Sequence, residues 1–183
     1  MDVFIEHMVK RRPTVKDLAL MVLYMILAVI IFVFGVFFSG ALLGPFSFVG
    51  ALAGVAAVFG AYYLISNMNI EYEYIVTNGE VDVDKIMAKR RRKRLLTANA
   101  RTFESFGLYR EQDHAEKDYT SRVYASESMD ENSSYFAVFT HAKLGKTLLV
   151  FTPDERVLDA LKKYIPRQAG GNANYSAKEP TQL

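Results

Sequence analysis

Residues 18–70 contain no Asp, Glu, Lys or Arg. A chain of 183 residues suffices for one modest soluble domain plus accessory segments, and this run is its least soluble-looking feature. A bilayer encloses it readily. The first part, LALMVLYMILAVIIFVFGVFF at residues 18–38, would extend roughly 31 Å as a helix, about the thickness of a hydrocarbon core. A secretory leader is the competing reading, but its apolar core is shorter and ends in a small-residue cleavage site, which this run lacks. Thr14-Val15-Lys16-Asp17 precedes it with a capping pattern, in which a threonine oxygen and a carboxylate satisfy the first free backbone N–H groups. A second apolar run, residues 46–65, follows the uncharged connector SGALLGP. So short a link makes the two helices antiparallel neighbours, a membrane-spanning hairpin.

Within the second helix Gly50, Gly54, Ala57 and Ala61 recur at i, i+4, i+7 and i+11 and give one face only small side chains. Such faces let helix backbones approach closely in lipid. This one is expected to meet the first helix or a second copy of the chain. Lys10, Arg11, Arg12 and Lys16 precede the hairpin, none lies in its tip, and cations resume at Lys85. By the excess of Lys and Arg on cytoplasmic segments, both termini are expected in the cytoplasm of a two-pass membrane protein.

After the hairpin the apolar period changes from helical to two. Residues 70–76 read as a strand, Asn78-Gly79 as a two-residue hairpin turn, and residues 80–87 as its partner strand. Six consecutive cations follow: Lys89, Arg90, Arg91, Arg92, Lys93 and Arg94. They occupy the next turn and the start of a third strand through Leu95, Leu96 and Ala98. Pairing of the second and third strands around residues 88–90 sets Asp82 and Asp84 near Arg92 and Arg94, each opposed pair contributing ~0.2–1 kcal/mol. A metal site on Glu80, Asp82 and Asp84 is not expected, because alternate positions on a strand do not wrap an ion.

Residues 102–134 are polar and less periodic, and read as solvated loops (EQDHAEKD and ESMDENSS) around a short strand near residues 122–125. Strands follow at residues 135–140 and 147–151. Thr152-Pro153-Asp154-Glu155 then offers an N-cap threonine, a proline at the first helical position and a glutamate three residues after the cap. Val157, Leu158, Leu161 and Ile165 give that helix an apolar face. The expected organisation is a cytoplasmic segment at 1–13, the hairpin at 14–66, a β domain at 67–166 and a disordered tail at 167–183. Residues 1–9 read as a short amphipathic turn at the interface, with Phe4, Ile5 and Met8 on one face, or as a frayed end.

Lys plus Arg (22) nearly balance Asp plus Glu (20), so nothing points to nucleic acid. The chain has no cysteine and only three scattered histidines, which removes disulfides, thiolate metal sites and imidazole clusters. There is no phosphate loop, nucleophile elbow or zinc helix motif. No catalytic residue, metal or cofactor is expected, and the spans hold too few polar groups to form a transport path.

The stretch YEYIVTNG, the basic strand after it and LLVFTPD at residues 148–154 resemble the bacterial PH-like membrane proteins, including the YcxB-like group, in which a transmembrane hairpin precedes a PH-like domain. The chain is also similar to small two-span proteins of Gram-positive anaerobes. The resemblance covers roughly residues 17–166. It implies an α+β fold, a transmembrane helical hairpin followed by a PH-like β-barrel or sheet domain with a C-terminal helix, and a place in the cell membrane. The functional expectation is a non-enzymatic binding module whose residues 89–94 engage anionic lipid or an acidic protein partner, at ~1 kcal/mol per cation. The same run would alternatively only set topology and pair within the sheet. A further alternative is a structural subunit that docks a partner helix, or a second copy, through the small-residue face of the second helix.

Overall fold

The two apolar runs form α1, Val15–Leu42, and α2, Phe48–Met68, joined by a short 3-10 turn at Gly44–Phe46. The computed structural model describes residues 4–42, 44–46, 48–128 and 133–170. Thr14 caps α1: the Asp17 carboxylate accepts from the Thr14 backbone N–H at 2.9 Å and from its hydroxyl at 2.7 Å. This is the carboxylate half of the capping pattern that the sequence suggests, with the threonine hydroxyl donating to Asp17.

Only 6% of either apolar window is buried within the protein, so these are not core helices of a soluble domain. Both are long and apolar enough to cross a membrane. The small-residue face of α2 is occupied by α1. Gly50 and Gly54 are buried. A Cβ added at Gly54 would stand 2.7 Å from Phe32 Cδ2, and one at Gly35 would stand 2.7 Å from the Gly50 carbonyl oxygen. Ala57 and Ala61 are half-buried further along the same helix.

Eight strands among the described residues form two sheets. The first contains β1 (Phe4–Lys10), β2 (Ile70–Thr77), β3 (Glu80–Met87) and β4 (Arg91–Asn99), in the order 1-2-3-4. The second contains β5 (Ser105–Leu108), β6 (Ser121–Ala125), β7 (Tyr135–His141) and β8 (Gly145–Phe151), in the order 5-7-8-6, with β6 parallel to β8. The residues before the hairpin are therefore neither an amphipathic turn nor frayed. They pair antiparallel with β2 from Phe4↔Thr77 to Lys10↔Glu71, so the hairpin is inserted between two neighbouring strands of one sheet. Val9 is buried by that pairing.

Tyr74 ties the sheets together. Its ring is fully buried and meets Phe151 edge-on, with centroids 5.7 Å apart. Its hydroxyl donates to the Ala125 carbonyl and accepts from the Thr152 N–H at 3.2 Å. Helix α4 runs Glu155–Lys162 and buries Val157, Leu158 and Leu161. A small helix, α3 (Glu111–His114), lies in the loop between β5 and β6.

Three local expectations are corrected. The cap of α4 is Asp154, whose Oδ1 accepts from the Val157 N–H at 2.8 Å. Thr152 instead receives the Glu127 N–H at 3.1 Å and helps close the core. In the polar region, β5 and α3 replace loop. Residues 167–169 form a 3-10 turn that buries Ala169, so the tail does not begin at Arg167. Beyond Gly170 it lies outside the described residues, as do residues 129–132.

Candidate functional site

The six consecutive cations divide into two groups. Arg92 and Arg94 point to acidic partners in the sheet. Arg94 Nε donates to Asp84 Oδ1 at 2.6 Å, and its Nη1 lies 2.7 Å from Asp82 Oδ2. Thr97 adds a hydroxyl donor to Asp82. Arg92 reaches past this pair to Glu73 on β2, with Nη2 2.9 Å from Oε1. Glu73 Oε2 lies equally near that nitrogen, at 2.9 Å, but without hydrogen-bonding geometry. The pairing of Arg94 with both aspartates follows the sequence expectation, whereas Arg92 takes a carboxylate one strand further away.

Glu73 and Asp84 are almost fully enclosed, at 1% and 2% exposure. Burial, and then a hydrogen bond shared with Glu6, hold the Glu73 carboxyl above its usual range, while the Arg92 guanidinium pulls it back. The hydrogen bond to Asp84 raises Arg94 further above its ordinary value. Both arginines are about half exposed. Water therefore screens the pairs, and each contributes nearer ~1 kcal/mol than the several kcal/mol of a dry pair.

The other four cations, Lys89, Arg90, Arg91 and Lys93, are exposed. Their side chains make no hydrogen bond or ion pair among the described residues. The turn that carries the first three is held against the end of α2, where the Ala88 N–H donates to the Asn69 carbonyl at 2.9 Å. Asn69 directly follows the last residue of α2. The chain divides into two compact units, and Met87–Arg91 belongs with Arg12–Ile70, the unit of the two long helices. Tyr63 and Asn67 of α2, with Ala88, Arg90 and Arg91, line an open cavity of about 240 Å³.

The turn itself is strained. Ala88 and Lys89 have φ of 52° and 55°, and the Arg90 N–H closes it onto the Met87 carbonyl at 3.1 Å. This left-handed backbone suits Asn-Gly, which the preceding hairpin uses at Asn78 and Gly79, with φ of 51° and 90°. Alanine and lysine hold it less readily because of their Cβ.

Sequence reasoning missed Tyr63 and Asn67. Their spacing of four puts them on one face at the end of α2, but only the pairing of β3 with β4 brings the arginines beside them. It also missed His114, which the loop pattern gave as solvated. That imidazole is 2% exposed, stacked on Tyr109 at 5.6 Å and meeting Phe136 edge-on at 4.2 Å. Its Nδ1 lies 2.8 Å from the Tyr119 hydroxyl, and Arg122 donates to the His114 and Lys117 carbonyls, both at 3.0 Å. Burial first, then the Lys117 charge, lower its pKa. The neutral ring pins the 109–120 loop to the second sheet.

Two sheets closed by a C-terminal helix, with two helices apolar enough to cross a membrane, define an α+β protein with a PH-like domain. A family model for a bacterial PH-like domain (DUF6106) matches residues 1–170, and the chain belongs to that family. The match begins before β1 and runs through the hairpin, so the family unit includes the inserted helices. No match is found among curated proteins or among solved structures.

Proposed function

We propose that this chain is a two-pass protein of the cytoplasmic membrane, both termini inside, whose PH-like domain is a non-catalytic module binding anionic lipid headgroups. PH-like domains are typically binding modules for lipids or proteins, which fits this reading in kind. The observation that carries it is the bond from the Ala88 N–H to the Asn69 carbonyl, 2.9 Å, which holds the basic turn where α2 ends. Cations at that level face headgroups. Four of them, at ~1 kcal/mol each on an anionic surface, give an upper attraction of about 4 kcal/mol.

The orientation has separate support. Because β1 and β2 are paired, both ends of the hairpin lead into the same sheet, and two crossings return the chain to one side. The cations before and after the hairpin support the cytoplasm as that side. Docking of a partner helix through Gly50 and Gly54 is not favoured, since α1 already fills that face.

Hydrogen exchange of the full chain in nanodiscs tests the reading. Replacing phosphatidylcholine with a mixture containing phosphatidylglycerol should slow exchange across residues 88–93. Salt, or glutamine at Lys89, Arg90, Arg91 and Lys93, should remove the effect. Equal exchange in both lipids would overturn it.

A further inference from the structure

We infer that the cavity between the end of α2 and the basic turn is a discrete site for one phosphate group of an anionic headgroup, held by Arg90 and Arg91 and completed by Asn67 and Tyr63. This rests on the membrane-facing reading of the turn, and it adds that binding is stoichiometric rather than a diffuse attraction shared by all the cations. The volume of about 240 Å³ admits a phosphate group, and five residues from two elements line the cavity. Two guanidiniums supply planar, forked donors that match phosphate oxygens in pairs. The Asn67 amide and the Tyr63 hydroxyl add uncharged donors beside them.

Location selects the source. Asn67 and Tyr63 sit in the last two turns of a helix apolar enough to span the bilayer, and tyrosine at that depth marks the headgroup layer. The backbone fixes how the arginines leave the turn. Two consecutive residues with a Cβ, Ala88 and Lys89, are held at φ of 52° and 55°. Positive φ at both positions is what a two-residue hairpin turn requires. Here it sets the direction in which the next two residues, Arg90 and Arg91, leave the turn.

The test is native mass spectrometry of the full chain in neutral detergent, titrated separately with dioleoylphosphatidylglycerol, dioleoylphosphatidylcholine and inorganic phosphate. Phosphatidylglycerol should saturate at one per chain. The pair Arg90→Gln and Arg91→Gln should weaken it about tenfold or more, as should Arg90→Lys with Arg91→Lys, which keeps charge but loses the fork. Lys89→Gln with Lys93→Gln should stay within about threefold, because those cations act only through the general field. Asn67→Ala serves as a milder variant, and hydrogen exchange in α2 and β2 confirms that each variant is folded.

Inorganic phosphate binding with the same arginine dependence, and phosphatidylglycerol showing none, would support the phosphate site and assign it to a soluble ligand. Lys89→Gln with Lys93→Gln as damaging as Arg90→Gln with Arg91→Gln, or either arginine pair without effect, would overturn the site while a preference for phosphatidylglycerol over phosphatidylcholine kept the broader reading. Loss of that preference in the parent chain would overturn both.

Discussion

Tyr74→Phe removes one oxygen from the centre of the sheet unit and leaves the ring in place. The ring is fully buried against Phe151, so the apolar burial is unchanged. What disappears is a hydroxyl that joins the sheets by donating to the Ala125 carbonyl and accepting from the Thr152 N–H at 3.2 Å. An orphaned buried donor costs ~1–3 kcal/mol, and a buried carbonyl deprived of one partner adds less, because it has a second lone pair. The expected net loss is about 2–3 kcal/mol. Burial holds the Tyr74 phenol well above the ordinary tyrosine value, so the donor is present throughout the working pH range and the loss should not vary between neutral and mildly alkaline pH. The assay is hydrogen exchange of the full chain in detergent. Slow amides of β2, β6 and β8 should exchange about 30- to 150-fold faster, by the conversion of 1.4 kcal/mol per decade. Amides of α1 and α2 should be unaffected, since Tyr74 belongs to the other compact unit. Exchange in β2 and β8 within about threefold of the parent would refute the claim that this hydroxyl couples the two sheets.

Gly79→Ala should destabilise the sheet unit by ~2 kcal/mol or more, since φ is +90° and the new Cβ would stand 2.6 Å from Tyr164 Cγ; Tyr164→Ala in the same chain should restore part of this in a double-mutant cycle by chemical denaturation. Gly54→Leu overpacks the contact with Phe32 and should cost ~1–3 kcal/mol, read as a lower midpoint when the hairpin is unfolded by SDS titration. His114 has a lowered pKa in the folded chain, so the unfolded chain binds the proton more readily. Its contribution is complete above the unfolded value of ~6.5 and is lost as pH falls through and below it. Exchange in residues 109–120, corrected for intrinsic rate, should therefore accelerate below about pH 6.5, and His114→Gln should flatten that dependence.

What the sequence determined by itself was whatever depends on neighbours along the chain. The charge-free run and its short connector specify the helical hairpin, and the Asp17 carboxylate accepts the Thr14 N–H as the motif implies. Asn78-Gly79 specifies a turn because its backbone tolerates positive φ, and that turn places β3 beside β2. The pairing of Arg94 with Asp82 and Asp84 follows from a second local hairpin. The C-terminal helix was legible from its apolar spacing, although its cap was misplaced by two residues, because Thr152 and Asp154 offer equivalent oxygens and only the bond that Thr152 receives from the Glu127 N–H separates them.

Tertiary structure decided everything that joins distant segments. β1 is seven residues whose partner lies beyond both long helices, and no local pattern shows that a strand will pair across such a gap. The hairpin supplies that proximity by returning the chain to the point where it left. The same cause decides one of the cation pairs: Arg92 is neutralised by Glu73, a carboxylate two strands away. The placement of Arg90 and Arg91 beside Tyr63 and Asn67 is likewise a product of strand pairing. His114 sits in a polar stretch, and only the aromatic rings that converge on it from three other segments make it a core residue.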